Sequence, residues 1–320
     1  MIGAGGLPAS HEPDRRRGEL PFPGKRQQLS KTLSDRRPIP LKHRLPMTRI
    51  KMAGARVLYR VLKLGMQKDK QQIKRGGINY EIDLTEGIDL SLFVFGAFQD
   101  HVKDEYFKLP ADSVVFDVGA NIGSMSLRFA KAVPAGQVYA FEPTNYAYQK
   151  FLKNLSLNPD LAKRILPTQA FVSDKAAEKK EVSAYSSWKI DGSSKEIHPL
   201  HGGVMQSADA IDVVTIDGFI ERHNITRLDL LKVDTDGHEI EVLRGAKKTL
   251  ERFRPPIIFE AGLYLIEGKG DTFDQYLDYL LQFGYSFINT ANGQAITREN
   301  YLKHIPLRAT TDVVAVPART

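Results

Sequence analysis

Alternation between short apolar segments and amphipathic segments constrains the fold of this chain more than any other feature. The apolar segments have strand length, and they lie at 114–118, 137–142, 165–172, 228–234 and 256–261. The segments between them have helical periodicity, and they lie at 122–132, 144–155, 238–253 and 272–283. This alternation predicts a mostly parallel sheet with helices on both faces. Two further strands, near 284–289 and 311–316, are predicted to close the chain as an antiparallel pair.

Composition changes along the chain indicate four parts. The first holds seven of the 17 prolines without a helix or strand period, which predicts a disordered basic tail. This tail is predicted over 1–46 and is followed by a basic amphipathic helical segment over 47–76. A strand and wall beside the sheet is predicted over 77–113, and the α/β domain itself over 114–320. The sequence leaves open whether the tail is an upstream extension, with the start at Met47 or Met52, or an arm for an anionic partner.

The charge of the chain is concentrated near its beginning. Residues 1–76 hold 19 Lys and Arg against 5 Asp and Glu, so the remainder is acidic although the whole chain has a net charge of +7. Within the basic part, residues 53–66 place Val57, Leu58, Val61 and Leu62 on one predicted helix face. We expect that face to pack on the main domain, with weak contact to a membrane surface as the less favoured alternative.

Several classes of function are excluded by composition. The absence of cysteine excludes disulfides, thiolate nucleophiles and cysteine-ligated zinc. No run of about 18 apolar residues is present, so no transmembrane segment is predicted and a cytoplasmic location is expected. The α/β domain has no basic stripe interleaved with aromatic residues, which argues against a nucleic-acid partner.

A glycine-spaced turn follows the first strand of the α/β domain. The stretch VVFDVGANIGSMSLRFA places Asp117, Gly119, Asn121 and Gly123 where open parallel sheets bind their ligands, at the carboxyl end of a strand. A dinucleotide fingerprint needs glycine at positions 119, 121 and 124, but two of these positions hold Asn121 and Ser124. A pyrophosphate cradle is therefore disfavoured.

An acidic residue at the tip of the second strand sharpens this prediction. Glu142, in QVYAFEP, lies 19 residues after Gly123, where a carboxylate can accept both ribose hydroxyls of a nucleoside cofactor. S-adenosylmethionine carries an ammonium and a sulfonium and no phosphate, so the charge of Asp117 would attract it and would repel a pyrophosphate. The pair Asp117 and Glu142 thus favours the methyl donor over a nicotinamide cofactor.

Several motifs together resemble the FkbM family of S-adenosylmethionine-dependent methyltransferases. They are DVGANIG at the turn, EP after the second strand, LLKVDTDGHEIEVLRGA at 230–246 and EGIDLSLFVFG at 86–96. The resemblance covers roughly residues 77–316, and it implies a class I, Rossmann-like sheet of seven strands. It also implies methyl transfer to oxygen, commonly to a hydroxyl of a sugar, a glycan or a secondary metabolite.

The resemblance also implies which residues hold the cofactor. Carried over by position, they are Asp117, Gly119, Asn121, Gly123 and Glu142, with Val172 flanking the adenine and Asp174 beside it. The family's usual Val-Glu-Gly is replaced at 235–237 by Thr235-Asp236-Gly237, which puts a metal or catalytic role for the shorter acid at 236 in question.

Two residues after the fourth strand are candidates for the reaction centre. Asp234 ends that strand and is expected to open onto the same cleft as Asp117 and Glu142, where a base, an orienting group or a contact to the cofactor is needed. His238 is the second candidate, because its ordinary pKa suits a general base. Asp236 and Glu239 have the spacing of a capping box, and for them a capping role and a catalytic role are left open.

Asp234, Asp236 and Glu260 present oxygen atoms at neighbouring strand ends. This arrangement suits Mg²⁺, but a metal-free polar cluster is favoured.

Two other functions stay open as alternatives. One is a nicotinamide-dependent oxidoreductase, and the other is a non-catalytic cofactor-binding module. Acceptor specificity is expected to reside in the 174–212 loop and the 77–105 wall.

Overall fold

The computed structural model describes residues 47–65, 68–95, 109–186 and 204–318, without the side chains of 47–52, 95, 178–186 and 204–210. The tail predicted over 1–46 lies outside the described residues, as do parts of the two segments, 77–105 and 174–212, that are predicted to determine acceptor specificity. All described residues belong to one compact unit that spans Lys42–Thr320.

The helices and strands are numbered in chain order. They are α1 Met47–Gly65, β1 Lys70–Arg75, β2 Ile78–Asp83, α2 Gly87–Phe95, β3 Val114–Val118, α3 Ser124–Ala132, β4 Gln137–Phe141, α4 Asn145–Ser156, α5 Pro159–Ala162, β5 Ile165–Thr168, β6 Ala170–Val172, β7 Ala177–Ser186, β8 Val204–Val214, α6 Ile216–Arg222, β9 Leu230–Val233, α7 Glu239–Arg244, α8 Lys247–Arg252, β10 Ile257–Ala261, α9 Leu263–Gly268, α10 Phe273–Leu281, β11 Tyr285–Asn289, β12 Ala295–Ile296, α11 Tyr301–His304 and β13 Thr311–Pro317.

The predicted α/β sheet is confirmed. Eight described strands lie in the order β12-β11-β13-β10-β9-β3-β4-β5, of which the two-residue β12 is an addition at one edge. Strands β5, β4, β3, β9 and β10 are parallel, and β13 runs antiparallel between β10 and β11, as the closing pair was predicted to do. Because β3, β4, β9 and β10 are parallel, their carboxyl ends meet along one edge of the sheet.

Successive residues of the central strands face opposite sides of the sheet, as the two-residue period requires. Phe116 and Leu231 belong to the apolar core on one side, with α6, α7 and α10. Val115 and Leu230 belong to the core on the other side, with β2, α3 and α4. Helices cover both faces, and most residues of these strands are therefore apolar.

The N-terminal part covers the second of these cores. Strand β2 buries Ile78, Tyr80 and Ile82 and pairs with β1, which is exposed on alternate residues. The prediction for α1 is partly wrong: Leu58 and Leu62 are half-buried, but Val57 and Val61 are exposed on the opposite side of the helix. The helix therefore has two apolar faces instead of one.

Two predicted elements are each divided in the structure. The strand predicted over 165–172 becomes β5 in the main sheet and β6, which pairs with β8 in a separate three-stranded sheet. The helix predicted over 238–253 becomes α7 and α8, because the carboxylate of Asp217 accepts hydrogen bonds from the backbone of Lys248 and Thr249 and caps a new helix there. No helix among the described residues is long and apolar enough to cross a bilayer.

Candidate active site

The turn after β3 lies tightly against its neighbours. Gly119 and Gly123 have φ values of 79° and 80°, and Asn121 between them has a φ of 50°. The backbone amides of Gly119 and Ala120 both donate to the carbonyl of Phe141, at 2.9 Å each. A Cβ atom on residue 123 would lie 2.0 Å from the ring of Phe151, so glycine is required at this position for steric as well as conformational reasons.

Glu142 connects the tip of β4 to this turn. Its Oε2 accepts a hydrogen bond from the amide of Asn121 at 3.0 Å, and its Oε1 accepts from the amide and hydroxyl of Thr144 at 2.9 and 2.5 Å. Burial raises the pKa of Glu142, and the hydrogen bonds from Thr144 and Asn121 oppose that rise. The carboxylate is thus fixed beside the turn, where a cofactor ribose is expected.

Asp117 lies beneath the turn and is fully buried. The hydroxyl of Ser126 donates to its Oδ2 at 2.6 Å, and the Nζ of Lys232 lies 3.1 Å from its Oδ1 as an ion pair without well-aligned hydrogen-bond geometry. The charge of Asp117 is therefore offset inside the protein. This position favours a supporting role for Asp117 beneath the turn over direct attraction of a cation.

Lys232 is a site residue that sequence reasoning missed. It lies on β9 directly opposite Asp117 on β3, is 4% exposed, and places its Nζ 3.4 Å from Oδ2 of Asp234. Burial lowers the pKa of Lys232, but the carboxylates of Asp117 and Asp234 raise it more, so the ammonium stays charged. The signal in the sequence was a lysine within the apolar strand LLKV, since a buried charge needs a partner.

Asp234 follows β9 and adjoins the turn. Its backbone amide donates to the carbonyl of Val118 at 3.0 Å. A Cβ atom on residue 119 would lie only 1.8 Å from its carbonyl oxygen. The structure therefore brings Asp234 together with the turn, as predicted from the strand ends.

The family model described as the Methyltransferase FkbM domain matches residues 117–287, which is more than half of the chain. The chain belongs to the FkbM methyltransferase family. The matched segment begins at Asp117 and includes the turn, Glu142 and the β9 strand end. This family and the observed sheet establish a class I, Rossmann-like methyltransferase fold, and they support the methyltransferase prediction over the oxidoreductase.

Curated relatives of this FkbM chain are methyltransferases from diverse organisms. Methyltransferase 1 of Beauveria bassiana (strain ARSEF 2860) is 28% identical over 180 residues, which cover 51% of this chain and 68% of the relative. Hexuronic acid methyltransferase AglP of Haloferax volcanii is 24% identical, with coverages of 48% and 58%. The 2-O-methyltransferase NoeI of Sinorhizobium fredii is 25% identical, with coverages of 45% and 61%. The chain thus spans less than two thirds of the length of AglP and NoeI.

Among solved structures, a methyltransferase FkbM from Methylobacillus flagellatus KT is similar, with a TM-score of 0.45 and 16% identity. The likeness covers 70% of this chain and 49% of that one.

The loop after Asp234 in the FkbM domain does not form the capping box that its sequence indicated. Helix α7 begins at Glu239 with His238 at the N-cap and no side-chain cap, while Asp236 precedes it in a left-handed conformation with a φ of 53°. The Oε1 of Glu239 instead accepts hydrogen bonds from the amides of Thr235 and Gly237, at 2.9 and 3.1 Å. Glu239 thus supports the loop on which Asp234 and Asp236 lie.

Both ring nitrogens of His238 contact charged side chains. Its Nδ1 lies 3.3 Å from Oε1 of Glu241, and its Nε2 lies 2.8 Å from the Nζ of Lys269. An ammonium can only donate, so Nε2 accepts and Nδ1 carries the proton that faces Glu241. The ring edge also packs against Phe171 at 5.1 Å between centroids. This geometry engages the lone pair that a general base would need.

Acidic side chains gather around Asp234 at this edge of the FkbM domain. Burial, followed by the charge of Asp234, raises the pKa of Asp236 and of Glu260 well above the usual range, and Asp312 adds to the effect on Glu260. Among the residues that the structure describes, no group of three or more acidic or histidine side chains has an arrangement that could hold a metal ion. The three candidate Mg²⁺ ligands therefore lie in one electrostatic cluster, and the metal-free cluster that the sequence favours stays a prediction.

Val172 and Asp174 lie at the end of β6. The side chain of Val172 is buried in the core, which leaves its backbone for any contact, and Asp174 is exposed. Between them, Ser173 donates from its hydroxyl to Glu241 at 3.0 Å. The structure thus joins these two residues to α7 through Ser173.

Proposed function

We propose that this chain transfers the methyl group of S-adenosylmethionine to a hydroxyl oxygen of a sugar, a glycan or a secondary metabolite. The observation that carries the proposal is the position of Asp234, which directly adjoins the glycine turn and lies within 3.4 Å of the Lys232 ammonium. AglP and NoeI, a hexuronic acid methyltransferase and a 2-O-methyltransferase, support a sugar hydroxyl as the acceptor.

The residues present fit the proposed cofactor. Gly119 and Gly123 allow the backbone to turn closely, and the carboxylate of Glu142 stands beside that turn with hydroxyl-accepting oxygens. Helix α3, nine residues long, begins immediately after Gly123 and presents its positive end to this space, which suits the cofactor's carboxylate. When bound, the cofactor would supply an electrophilic methyl group on sulfur.

The chain's own task is to orient the acceptor and to take its proton. A sugar hydroxyl has a pKa far above neutrality, so it must lose its proton as the new bond forms. We assign this role to the carboxylate of Asp234, with Lys232 holding its orientation from below. Burial raises the pKa values of Asp236 and Glu260 and so favours their protonated forms, and we do not propose either as the base. His238 is the second candidate, and its Nε2 would first have to leave Lys269.

Two lysines lie among the acids proposed as Mg²⁺ ligands. Lys232 contacts Asp234, and the charge of Lys269 acts on Asp236. Because Lys232 already pairs with Asp234, and burial favours the uncharged forms of Asp236 and Glu260, we propose transfer without a metal. Unchanged turnover in EDTA is the expected result, whereas a loss that Mg²⁺ restores would reinstate the metal site.

The amino-acid composition also relates to the cellular location. The cysteine-free composition is compatible with a reducing compartment, and we propose the cytoplasm as the place of action.

Calorimetry and product analysis test the function. We expect S-adenosylmethionine to bind and NAD not to bind, and a labelled methyl group to appear on one class in a panel of hexuronic acids, glycans and hydroxylated metabolites. The product's mass and its resistance to base distinguish a methyl ether from a methyl ester. Binding of NAD alone, or an ester product, would overturn the proposal.

A further inference from the structure

Helix α1 has a second apolar face that points away from the protein. Ala55, Tyr59 and Leu62 pack against the core beneath β2. On the opposite side, Val57, Val61 and Leu64 are 59%, 59% and 90% exposed. Their spacing of four and then three residues places them in one stripe along the helix. Leu64 is the most exposed large apolar side chain in the part of the chain that the structure describes.

Basic side chains flank this stripe. Arg56 and Arg60 are exposed and lie one helical turn apart beside Val57 and Val61. From residue 53 to residue 76 the sequence holds seven basic residues and a single acidic one, Asp69. That carboxylate accepts from the hydroxyl of Tyr59 at 3.0 Å and pairs with Lys63 at 2.6 Å, so it does not offset the arginines.

We propose that the exposed face of α1, formed by Val57, Val61, Leu64, Arg56 and Arg60, docks on the surface of an anionic lipid bilayer. The aliphatic stripe enters the boundary between headgroups and acyl chains, and the guanidinium groups bind lipid phosphates. The inner face of the helix stays on the protein, so docking requires no unfolding of α1. The cytoplasmic leaflet carries the negative charge that this surface needs.

Two other occupants fit the same surface less well. A nucleic acid would use the arginines, but it offers nothing to three aliphatic side chains, and the stripe contains no aromatic ring for a base to stack on. A second copy of this chain would bring Arg56 and Arg60 against an equally basic surface. The combination of an aliphatic stripe with basic flanks therefore favours the lipid surface.

Vesicle flotation with the full chain tests the proposal. We expect binding to vesicles of phosphatidylcholine with phosphatidylglycerol and not to phosphatidylcholine alone. Replacing both arginines, Arg56→Gln and Arg60→Gln, is expected to weaken binding by about 25-fold, since each basic residue near the surface contributes roughly a fivefold factor. Replacing the stripe by Val57→Ser, Val61→Ser and Leu64→Ser is expected to weaken it by at least about tenfold.

Matched variants control for unspecific effects. Leu281 and Leu302 are 51% and 44% exposed on other helices, so Leu281→Ser with Leu302→Ser changes surface hydrophobicity elsewhere and is expected to leave vesicle binding unchanged. Circular dichroism and cofactor calorimetry confirm that each variant is folded.

Four results would overturn the proposal. The first two are a wild-type chain that does not bind anionic vesicles and a serine triple variant that binds them as well as wild type does. The third is tighter binding to duplex DNA or RNA than to vesicles, if it depends on the two arginines and not on the aliphatic stripe. The fourth is a dimer in analytical ultracentrifugation that the serine triple variant does not form.

Discussion

The carbonyl oxygen of Asp234 occupies the space beside Gly119 where any other residue would place its side chain. A Cβ atom on residue 119 would lie 1.8 Å from that oxygen, and residue 119 also has a φ of 79°. The glycine turn that we propose to bind the cofactor and the backbone that carries Asp234 are therefore in direct contact, so a change in one displaces the other.

Replacing Gly119 by alanine is expected to damage both parts of this unit. The added methyl group must displace backbone, and alanine is unfavourable at positive φ, so we expect a loss of at least about 2 kcal/mol of stability together with weaker cofactor binding. Gly268→Ala is the control, because a Cβ there has nothing within 4 Å. Urea unfolding and calorimetry measure the two effects. A stable Gly119→Ala variant with normal cofactor affinity would contradict the observed contact.

Asp234→Asn tests the proposed base directly. The amide keeps the shape of the side chain but cannot accept the acceptor's proton, so we expect kcat to fall by about 10²–10⁴-fold. Cofactor affinity is expected to stay within about tenfold, because the turn and Glu142 are unchanged. Asp160→Asn, on an exposed helix, is the control. Wild-type turnover by Asp234→Asn would assign the base to another group.

His238→Asn separates the two candidates for that base. The ring nitrogens of His238 are engaged by Glu241 and Lys269, so we expect turnover within about tenfold of wild type and an unchanged pH profile. A large fall in kcat with normal cofactor affinity and an altered pH profile would instead identify His238 as the base.

There is a physical reason why some site residues could be predicted from the sequence and others could not. Asp117, Glu142 and Asp234 could be placed because each ends or nearly ends an apolar strand, and parallel strands end at one edge. Lys232 was missed because its partner Asp117 lies more than a hundred residues earlier, and the two meet only through the β3–β9 pairing. That contact depends on the order of the strands in the sheet, which cannot be read from local sequence patterns.

The loop after β9 shows the same limit at shorter range. The spacing of Asp236 and Glu239 matched a capping box, but the left-handed backbone at Asp236 and Gly237 starts the helix two residues later and turns the carboxylate of Glu239 toward the loop amides. A spacing of three residues fixes geometry only where the backbone between them is helical.

Lys232→Met is expected to remove the ammonium group beside the buried carboxylate of Asp117 and the half-buried carboxylate of Asp234. We expect a loss of about 3–5 kcal/mol of stability, because removing one partner of a buried pair leaves an uncompensated charge. Adding Asp117→Asn to Lys232→Met removes one of these charges and is expected to restore part of the stability, so the double-mutant cycle measures the coupling.

Measurements of kcat distinguish a role of Lys232 in positioning Asp234 from a purely structural role. Lys232→Arg keeps the charge, and we expect it to retain cofactor binding while lowering kcat, because the longer side chain displaces Asp234. Wild-type kcat in Lys232→Arg would show that the ion pair with Lys232 does not orient Asp234. Additive effects in the cycle would show that Lys232 and Asp117 do not stabilise each other.

A buried ion cluster beneath the N-terminal wall makes stability depend on pH. Asp89 is fully buried, and its carboxylate accepts hydrogen bonds from the Nζ of Lys150 at 2.6 Å and from the backbone amide of Asp83 at 2.7 Å. Glu86 lies near this carboxylate and accepts a hydrogen bond from the hydroxyl of Tyr146. Burial raises the pKa of Asp89 from 3.8 to about 6, with Lys150 opposing and Glu86 adding to the rise. Between pH 3.8 and about 6, Asp89 in the folded protein therefore holds a proton that the same residue in the unfolded chain has already released.

The sign of the effect follows from that difference. Between pH 3.8 and about 6 the folded state binds more protons than the unfolded state at Asp89, so its contribution to stability falls as pH rises through this window. The contribution is full below the window and lost above it. Asp89→Asn is expected to remove this slope, which is on the order of 1–3 kcal/mol across the window. Urea unfolding as a function of pH measures it, with the exposed Asp212→Asn as the control that keeps the wild-type slope. An identical slope in Asp89→Asn would place the titrating group elsewhere.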